Sequence, residues 1–359
     1  MSLDLGSPAH LPAGSRQPVN GVLGAIGDTP LVRLERYLDD TSIALWAKLE
    51  AFNPGGSAKD RTATRMLQDA IEDGLLSPGA TVIESSSGNL GVGLAQACRY
   101  FGLRLICVVD LRAHETNIRT MRALGADVRI VTRGDPVRND LLAARLELVA
   151  QLLLENPGAF WPDQYANESN PAAHAEGTMR EIDEALDGDL DYLFLATSTA
   201  GTLRGCCDHL QAIGRDTRVV AVDAVGSVLF DGVRGSRRLP GFGAGVQTEL
   251  SKSASFDRLL RVSDLDCVVG CRRLAEREAI LAGASSGGVL RAVETVADRM
   301  PRGSRCAAIL ADGGGGYLET VFDDGWVHRE LGCEPGALQM LVDASAEEIA
   351  RVEHPIRNF

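Results

Sequence analysis

Thr81-Val82-Ile83-Glu84-Ser85-Ser86-Ser87-Gly88-Asn89-Leu90-Gly91 is a short apolar run that ends in a polar, glycine-containing turn. Beyond the turn, Leu90, Leu94, Ala97, Cys98 and Phe101 recur at helical spacing, so the stretch reads as strand, loop and one-faced helix. The same unit repeats on both sides. Upstream, a strand over 44–50 leads to a helix after Ser57 that carries Ala63, Met66, Leu67, Ala70 and Ile71 on one face. Downstream come strands over 103–109 and 128–131, a long helix over 141–154, a strand over 192–196, a helix after Gly201, a strand over 219–222, a helix after Ser286 and a strand over 306–310. Strand and helix in strict turn predict an α/β fold, with mostly parallel sheets flanked by helices, and here two such sheets.

A chain of 359 residues suits two domains of ordinary size. The apolar period breaks between Asn156 and Asn170, a stretch rich in Pro, Asn and aromatics that reads as the crossing between domains. The expected division is a flexible tail over 1–20, a smaller N-terminal α/β domain over 52–158, a larger domain made of 21–51 and 159–326, and a C-terminal extension over 327–359. With 45% hydrophobic residues the chain can bury a real core, and a net charge of -13 repels nucleic-acid phosphates and anionic lipid. Nucleic-acid and membrane partners are therefore not expected. No apolar run approaches the roughly 18 residues of a membrane span, and residues 1–20 lack the apolar stretch of a signal peptide, so a cytoplasmic location is expected. The eight cysteines form no CxxC pair and read as buried thiols, and the six histidines show no metal-ligand spacing.

Asn53-Pro54-Gly55-Gly56-Ser57-Ala58-Lys59-Asp60-Arg61 delivers a lysine to the first turn of a helix. A helix N-terminus is electropositive and favours the neutral amine, which suits a lysine with covalent work to do. Glu84 to Gly91 puts hydroxyls, backbone N–H groups and an amide at another helix start, a loop suited to a carboxylate. Thr197-Ser198-Thr199-Ala200-Gly201-Thr202-Leu203 does the same after the strand ending at Ala196, with small residues that let N–H groups reach a phosphate. Gly283-Ala284-Ser285-Ser286-Gly287-Gly288 is a third polar helix start, and Asp312-Gly313-Gly314-Gly315-Gly316 reads as a flexible strand-to-helix turn.

Together these motifs, with Gly27-Asp28-Thr29-Pro30-Leu31 ahead of them, resemble the fold type II pyridoxal-phosphate enzymes of the cysteine synthase and cystathionine β-synthase group. The resemblance runs from about Gly24 to about Phe322, and it implies a tryptophan synthase β-like architecture, a homodimer and pyridoxal 5'-phosphate as cofactor. It implies that Lys59 holds the cofactor as a Schiff base and removes the α-proton, that Asn89 bonds the ring hydroxyl, that Ser198, Thr199, Ala200, Gly201 and Thr202 cradle the phosphate, and that Ser285 faces the ring nitrogen. Ser86, Ser87 and Gly88, with Gln164 across the cleft, match the hold on the substrate carboxylate. A serine opposite the ring nitrogen does not force that nitrogen to be protonated, which favours β-elimination and replacement over transamination.

Cysteine synthases usually have Thr-Ser-Gly-Asn-Thr where this chain has Ser86-Ser87-Gly88-Asn89-Leu90. The form seen here resembles the branch that joins O-phospho-L-serine to the amine of L-glutamate, on the way to 2,3-diaminopropionate for siderophores or peptide antibiotics. Leu90 removes a hydroxyl and is expected to reshape the nucleophile pocket. A phosphorylated donor needs a cation for its leaving group; Arg145, Arg133 and Arg204 are near the relevant loops, and each reads equally as a solvated helix arginine. Arg145 and Tyr165 are the substrate candidates. The competing expectations are a cysteine synthase using sulfide, and a regulatory protein that kept the fold and lost the chemistry.

Overall fold

The computed structural model describes residues 18–39, 42–134 and 141–345. Most of the expected tail over 1–20 and the end of the extension from 346 lie outside the described residues. In chain order the elements open with β1 (Leu31–Arg33), β2 (Ala44–Leu49), α1 (Lys59–Glu72), β3 (Thr81–Ser85), α2 (Asn89–Phe101), β4 (Arg104–Asp110), α3 (Glu115–Ala123), β5 (Asp127–Val131) and α4 (Leu141–Glu155). After the irregular crossing come α5 (Ser169–Ala173), a π-helical turn (His174–Met179), α6 (Arg180–Ala185), β6 (Tyr192–Ala196), α7 (Gly201–Ala212), β7 (Arg218–Ala224), α8 (Glu249–Lys252) and β8 (Arg258–Val262). The chain continues through α9 (Asp264–Glu278), α10 (Ala284–Val296), β9 (Arg305–Leu310), α11 (Asp324–Leu331) and α12 (Pro335–Asp343).

Two sheets form. β3, β4 and β5 make a three-stranded parallel sheet, and β1-β2-β9-β6-β7-β8 make a six-stranded one in which only the β1–β2 pair is antiparallel. Every residue of β3 is buried, as expected for a strand covered on both faces. The small sheet packs through Val82, Leu105 and Cys107 onto α1, α2 and α3, and through Ile83 and Val108 onto Val149 and Leu152 of α4. The large sheet has α9 and α10 on one face, and α7 with the π turn region on the other. Among the described residues no helix is long and apolar enough to cross a membrane, and the eight cysteines are free thiols.

Residues 328–345 are folded onto the large unit. Leu338 and Val342 of α12 are buried, and the buried guanidinium of Arg273 donates to the carbonyls of Leu341, Val342 and Ala344 at 2.8–3.0 Å. That clasp satisfies the orphan carbonyls of the last helical turn and places a cation at its negative end.

Candidate active site

Parallel strands deliver their following helices to one edge of each sheet, and the four polar loops read from the sequence meet there. Lys59 is the first residue of α1 and is half-buried. Burial pushes its amine below the ordinary lysine range, against the opposing pull of Asp312 and Glu50. The helix start that carries it is pinned by a buried cluster. Arg61 donates to both carboxylate oxygens of Glu50 at 2.7 and 2.9 Å and to both of Glu181 at 2.6 and 2.8 Å, and Lys48 Nζ donates to Glu181 at 2.6 Å. Two cations and two carboxylates balance, so the desolvated charges stabilise one another, and removing a single partner from such a cluster costs about 3–5 kcal/mol.

The phosphate-cradle motif lies at the start of α7. Ala200, the N-cap residue, has φ +69°, the left-handed region, and the N–H groups of the first helical turn that it leads into have no intrahelical partners. The Thr199 hydroxyl accepts from Gly201 N and from Asn170 Nδ2, both at 3.2 Å, and Thr199 O accepts from the Thr248 hydroxyl at 2.9 Å. Ser198 is half-buried with its hydroxyl 3.5 Å from Gly243 O. Thr202 meets Nε2 of the buried His174 at 3.2 Å; the same nitrogen lies 3.1 Å from the Thr62 hydroxyl, one turn beyond Lys59. Burial and the charges of Lys59 and Arg61 hold His174 neutral. The sequence reading missed His174 and Asn170, which tie the cradle to the lysine helix; their only signal was a polar pair in an otherwise packed helical stretch.

The carboxylate loop precedes α2. Ser86 Oγ accepts from Gly91 N at 3.0 Å, while Ser87 Oγ accepts from Asp110 N at 3.2 Å and from Arg145 Nη1 at 2.9 Å. Gln164 is buried across from this loop, its amide 3.5 Å from Ser85 O. Glu84, at the base of the loop, accepts from Ser85 N, Trp161 Nε1 and Gln164 N, and burial pushes its carboxyl up to about 7. Arg145 reaches Ser87 with Asp110 3.2 Å from its Nε, and its charge and that of Arg237 both act on the Tyr165 phenol. The other two arginines are elsewhere: Arg133 is exposed, and Arg204 pairs with Glu168 and Asp208.

Two readings need correction. Leu90 is only 2% exposed and packs in the core beneath the three-stranded sheet, so it is a packing residue and forms no wall of a nucleophile pocket. The loop at Asp312 is no flexible turn into an α-helix. Bridges to Ser57 and between Gly313 and Ala282 hold it, and a 3-10 turn over Gly314–Tyr317 follows. Asp312 is buried and accepts from Asn89 Nδ2 at 2.8 Å and Tyr317 Oη at 3.0 Å. Ser285 is the second residue of α10, buried, with Gly283 leaving room for Asp312 beside it; a Cβ on Gly283 would stand 2.1 Å from Asp312 Oδ1.

The donor set fits pyridoxal phosphate on the structure's own terms. It offers an amine of lowered basicity for an aldehyde, N–H groups at a helix start for a phosphate, an amide for a phenolic oxygen and a buried hydroxyl for a ring nitrogen. The comparisons agree. A family model described as "Pyridoxal-phosphate dependent enzyme" matches residues 22–312. N-(2-amino-2-carboxyethyl)-L-glutamate synthase of Ralstonia nicotianae is 44% identical over 308 residues, 86% of this chain and 91% of that protein. The protein of the same name from Cupriavidus metallidurans is 41% identical over 313 residues, 86% of this chain and 92% of its own length. A solved hydrogen sulfide-producing enzyme from Fusobacterium nucleatum superposes with TM-score 0.77 at 30% identity, covering 84% of this chain and all of its own. The chain belongs to the pyridoxal-phosphate dependent enzymes.

Proposed function

We propose that the protein catalyses β-replacement between O-phospho-L-serine and L-glutamate, giving N-(2-amino-2-carboxyethyl)-L-glutamate and phosphate as a step toward L-2,3-diaminopropionate. The observation that carries the donor assignment is the Arg145 guanidinium bonded to Ser87 Oγ at 2.9 Å, a cation set beside the carboxylate loop where a phosphate dianion must leave. The reaction assignment draws support from the two synthases of that name, each more than 40% identical over most of the chain.

Bound pyridoxal phosphate supplies the electron sink that lets a proton leave the α-carbon and a group leave the β-carbon. Lys59 would tether it and would hold the α-proton on Nζ, while Asn89, Ser198 to Thr202 and Ser285 would hold its hydroxyl, phosphate and ring nitrogen. The N–H groups and hydroxyls of Ser86, Ser87 and Gly88, with Gln164 opposite, orient the donor carboxylate. Arg145 and Tyr165 stabilise charge on the departing phosphate, because a charge-assisted contact contributes about 1.5–3 kcal/mol.

A matrix of O-phosphoserine, O-acetylserine and serine against glutamate and sulfide, read by mass spectrometry, tests this. The expected result is one dominant product with both carbon skeletons, from O-phosphoserine and glutamate. Cysteine as the dominant product from sulfide, with glutamate unconsumed, assigns the chain to the cysteine synthases instead.

A further inference from the structure

An amine acceptor raises a problem that sulfide does not. The amine of a free amino acid is an ammonium ion at neutral pH and has no lone pair until a proton leaves it. Lys59 cannot take that proton, because in the preceding half of the reaction it has accepted the α-proton and must hold it for return. A second base is required in the cleft.

Most ionisable groups there are committed. Asp312 is bound to Asn89 and Tyr317, Glu84 to three N–H groups behind the loop, Asp110 to Arg145 and Arg112, and His174 to Thr62 and Thr202. His114 is not. It ends the loop from β4 to α3, and its Nε2 is buried without a hydrogen-bond partner among the described residues. The position is bracketed from two sides. The loop starts at Asp110, whose N–H bonds Ser87 Oγ, and ends with the His114 ring edge-on to Tyr317, centroids 5.9 Å apart at 61°. Tyr317 in turn donates to Asp312, the partner of Asn89. His114 therefore borders the cleft between the carboxylate loop and the residues around the cofactor ring.

We propose that His114 is the base that takes the proton from the acceptor's ammonium group, an inference that rests on the amine acceptor proposed above. The ring is suited to it. Burial lowers its proton affinity, opposed by Glu319; Tyr317 faces it uncharged, and it is the N-cap residue of α3, whose dipole disfavours a second positive charge. The proton passes from the acceptor nitrogen to Nε2. The freed lone pair bonds the β-carbon of the unsaturated unit left by phosphate departure, the electron pair of its double bond moves to the α-carbon, and Lys59 Nζ returns the proton it removed there. The proton on His114 then leaves to solvent, which resets the base for the next acceptor.

The test uses the holoenzyme and two variants, His114→Gln and His114→Phe, the second keeping a ring against Tyr317. Each is given O-phosphoserine with either glutamate or azide, which has no proton to lose at neutral pH. The glutamate-dependent rate is expected to fall about 100-fold, while the azide-dependent rate and phosphate release without acceptor stay within about threefold of wild type. The glutamate rate of the variants should rise tenfold per pH unit toward the ammonium's own pKa, where wild type is flat. Independently of activity, the imidazole resonance that the Gln variant lacks should titrate below about 6.5, the ordinary histidine value. Equal losses with both acceptors, an unchanged glutamate rate, or an imidazole still charged above about pH 7 overturns the assignment. A wild type that consumes azide but not glutamate rejects the proposed function, and this inference with it.

Discussion

The starts of α2 and α7 are both polar turns after buried strands, and both offer N–H groups to an anion, yet they are built from different material. At α7 the neighbours are uncharged and locked: the Thr199 hydroxyl between Gly201 N and Asn170, Thr202 on a neutral His174, and a left-handed Ala200. At α2 the serine hydroxyls are backed by charge, with Arg145 on Ser87, Asp110 behind it and Glu84 below. A site for a resident group can be rigid and neutral, since it is filled once. A site for a substrate that arrives, splits and leaves needs charge that strengthens as the leaving group develops its own.

The comparison breaks first at Gly201. A Cβ there would stand 2.1 Å from Oδ1 of Asn170, whose side chain is itself tied to Gln164 O and Thr199. Gly201→Ala should weaken cofactor binding by roughly 100-fold, about 2.7 kcal/mol, read by titrating the apoenzyme with pyridoxal phosphate in the visible region. Retention of wild-type affinity would show that the cradle at α7 yields as easily as a loop.

Arg145→Ala comes next and sharpens the other side. The turnover efficiency with O-phosphoserine should drop roughly 10- to 100-fold, the worth of one charge-assisted contact, and with O-acetylserine far less. Equal losses with both donors would make Arg145 a support for Ser87 and no more.

Glu84 gives a pH signature to the α2 side alone. Its carboxyl is raised from 4.5 to about 7, so the folded protein holds that proton more tightly than the unfolded chain. The stability this contributes is complete below about pH 4.5 and is lost as pH rises through about 7, of order 3–4 kcal/mol at about 1.4 kcal/mol per unit. Thermal midpoints of wild type should decline between these limits beyond what Glu84→Gln shows, and parallel curves for the two proteins contradict the assignment.

The smallest effect belongs to Leu90→Thr. Buried in the small core, the substitution should cost about 1–3 kcal/mol for the apolar volume lost and the hydroxyl gained. The choice between glutamate and sulfide should shift by less than about threefold. A switch toward sulfide would return Leu90 to the acceptor pocket.

That last point marks where the sequence was legible. Runs such as Tyr192–Ala196, bounded by polar glycine turns, announce buried strands by composition, and the loops that follow them announce helix starts; the strand boundaries and the meeting of the four loops follow from periodicity and parallel connection. β8, with arginines at both its first and fourth positions, and three-residue β1 lack such a run and were not read. Leu90 was misread because a motif position tells which residue differs and not which way it points; on α2 that direction is the core. The role of Asp312, read only as part of a flexible turn, and the place of His114 were out of reach for a related reason. Each matters through partners more than 200 residues away in sequence, and no local pattern encodes a contact between His114 and Tyr317 or between Asp312 and Asn89.

The pairing of β2 with β9 carries a consequence for how the enzyme is made. β9 lies between β2 and β6 at the centre of the large sheet, yet among the described strands it is the last to be synthesised. The three-stranded sheet and its helices can close while the chain is still growing, whereas β2 lacks its parallel neighbour until Leu310 has emerged, and Asp312 reaches Ser57 and Asn89 only after that. The nascent chain therefore carries Lys59, the proposed cofactor lysine, before Asp312 stands beside it. Completion of the proposed site waits on β9, and a truncation short of it would leave Lys59 without Asp312 or the central strand.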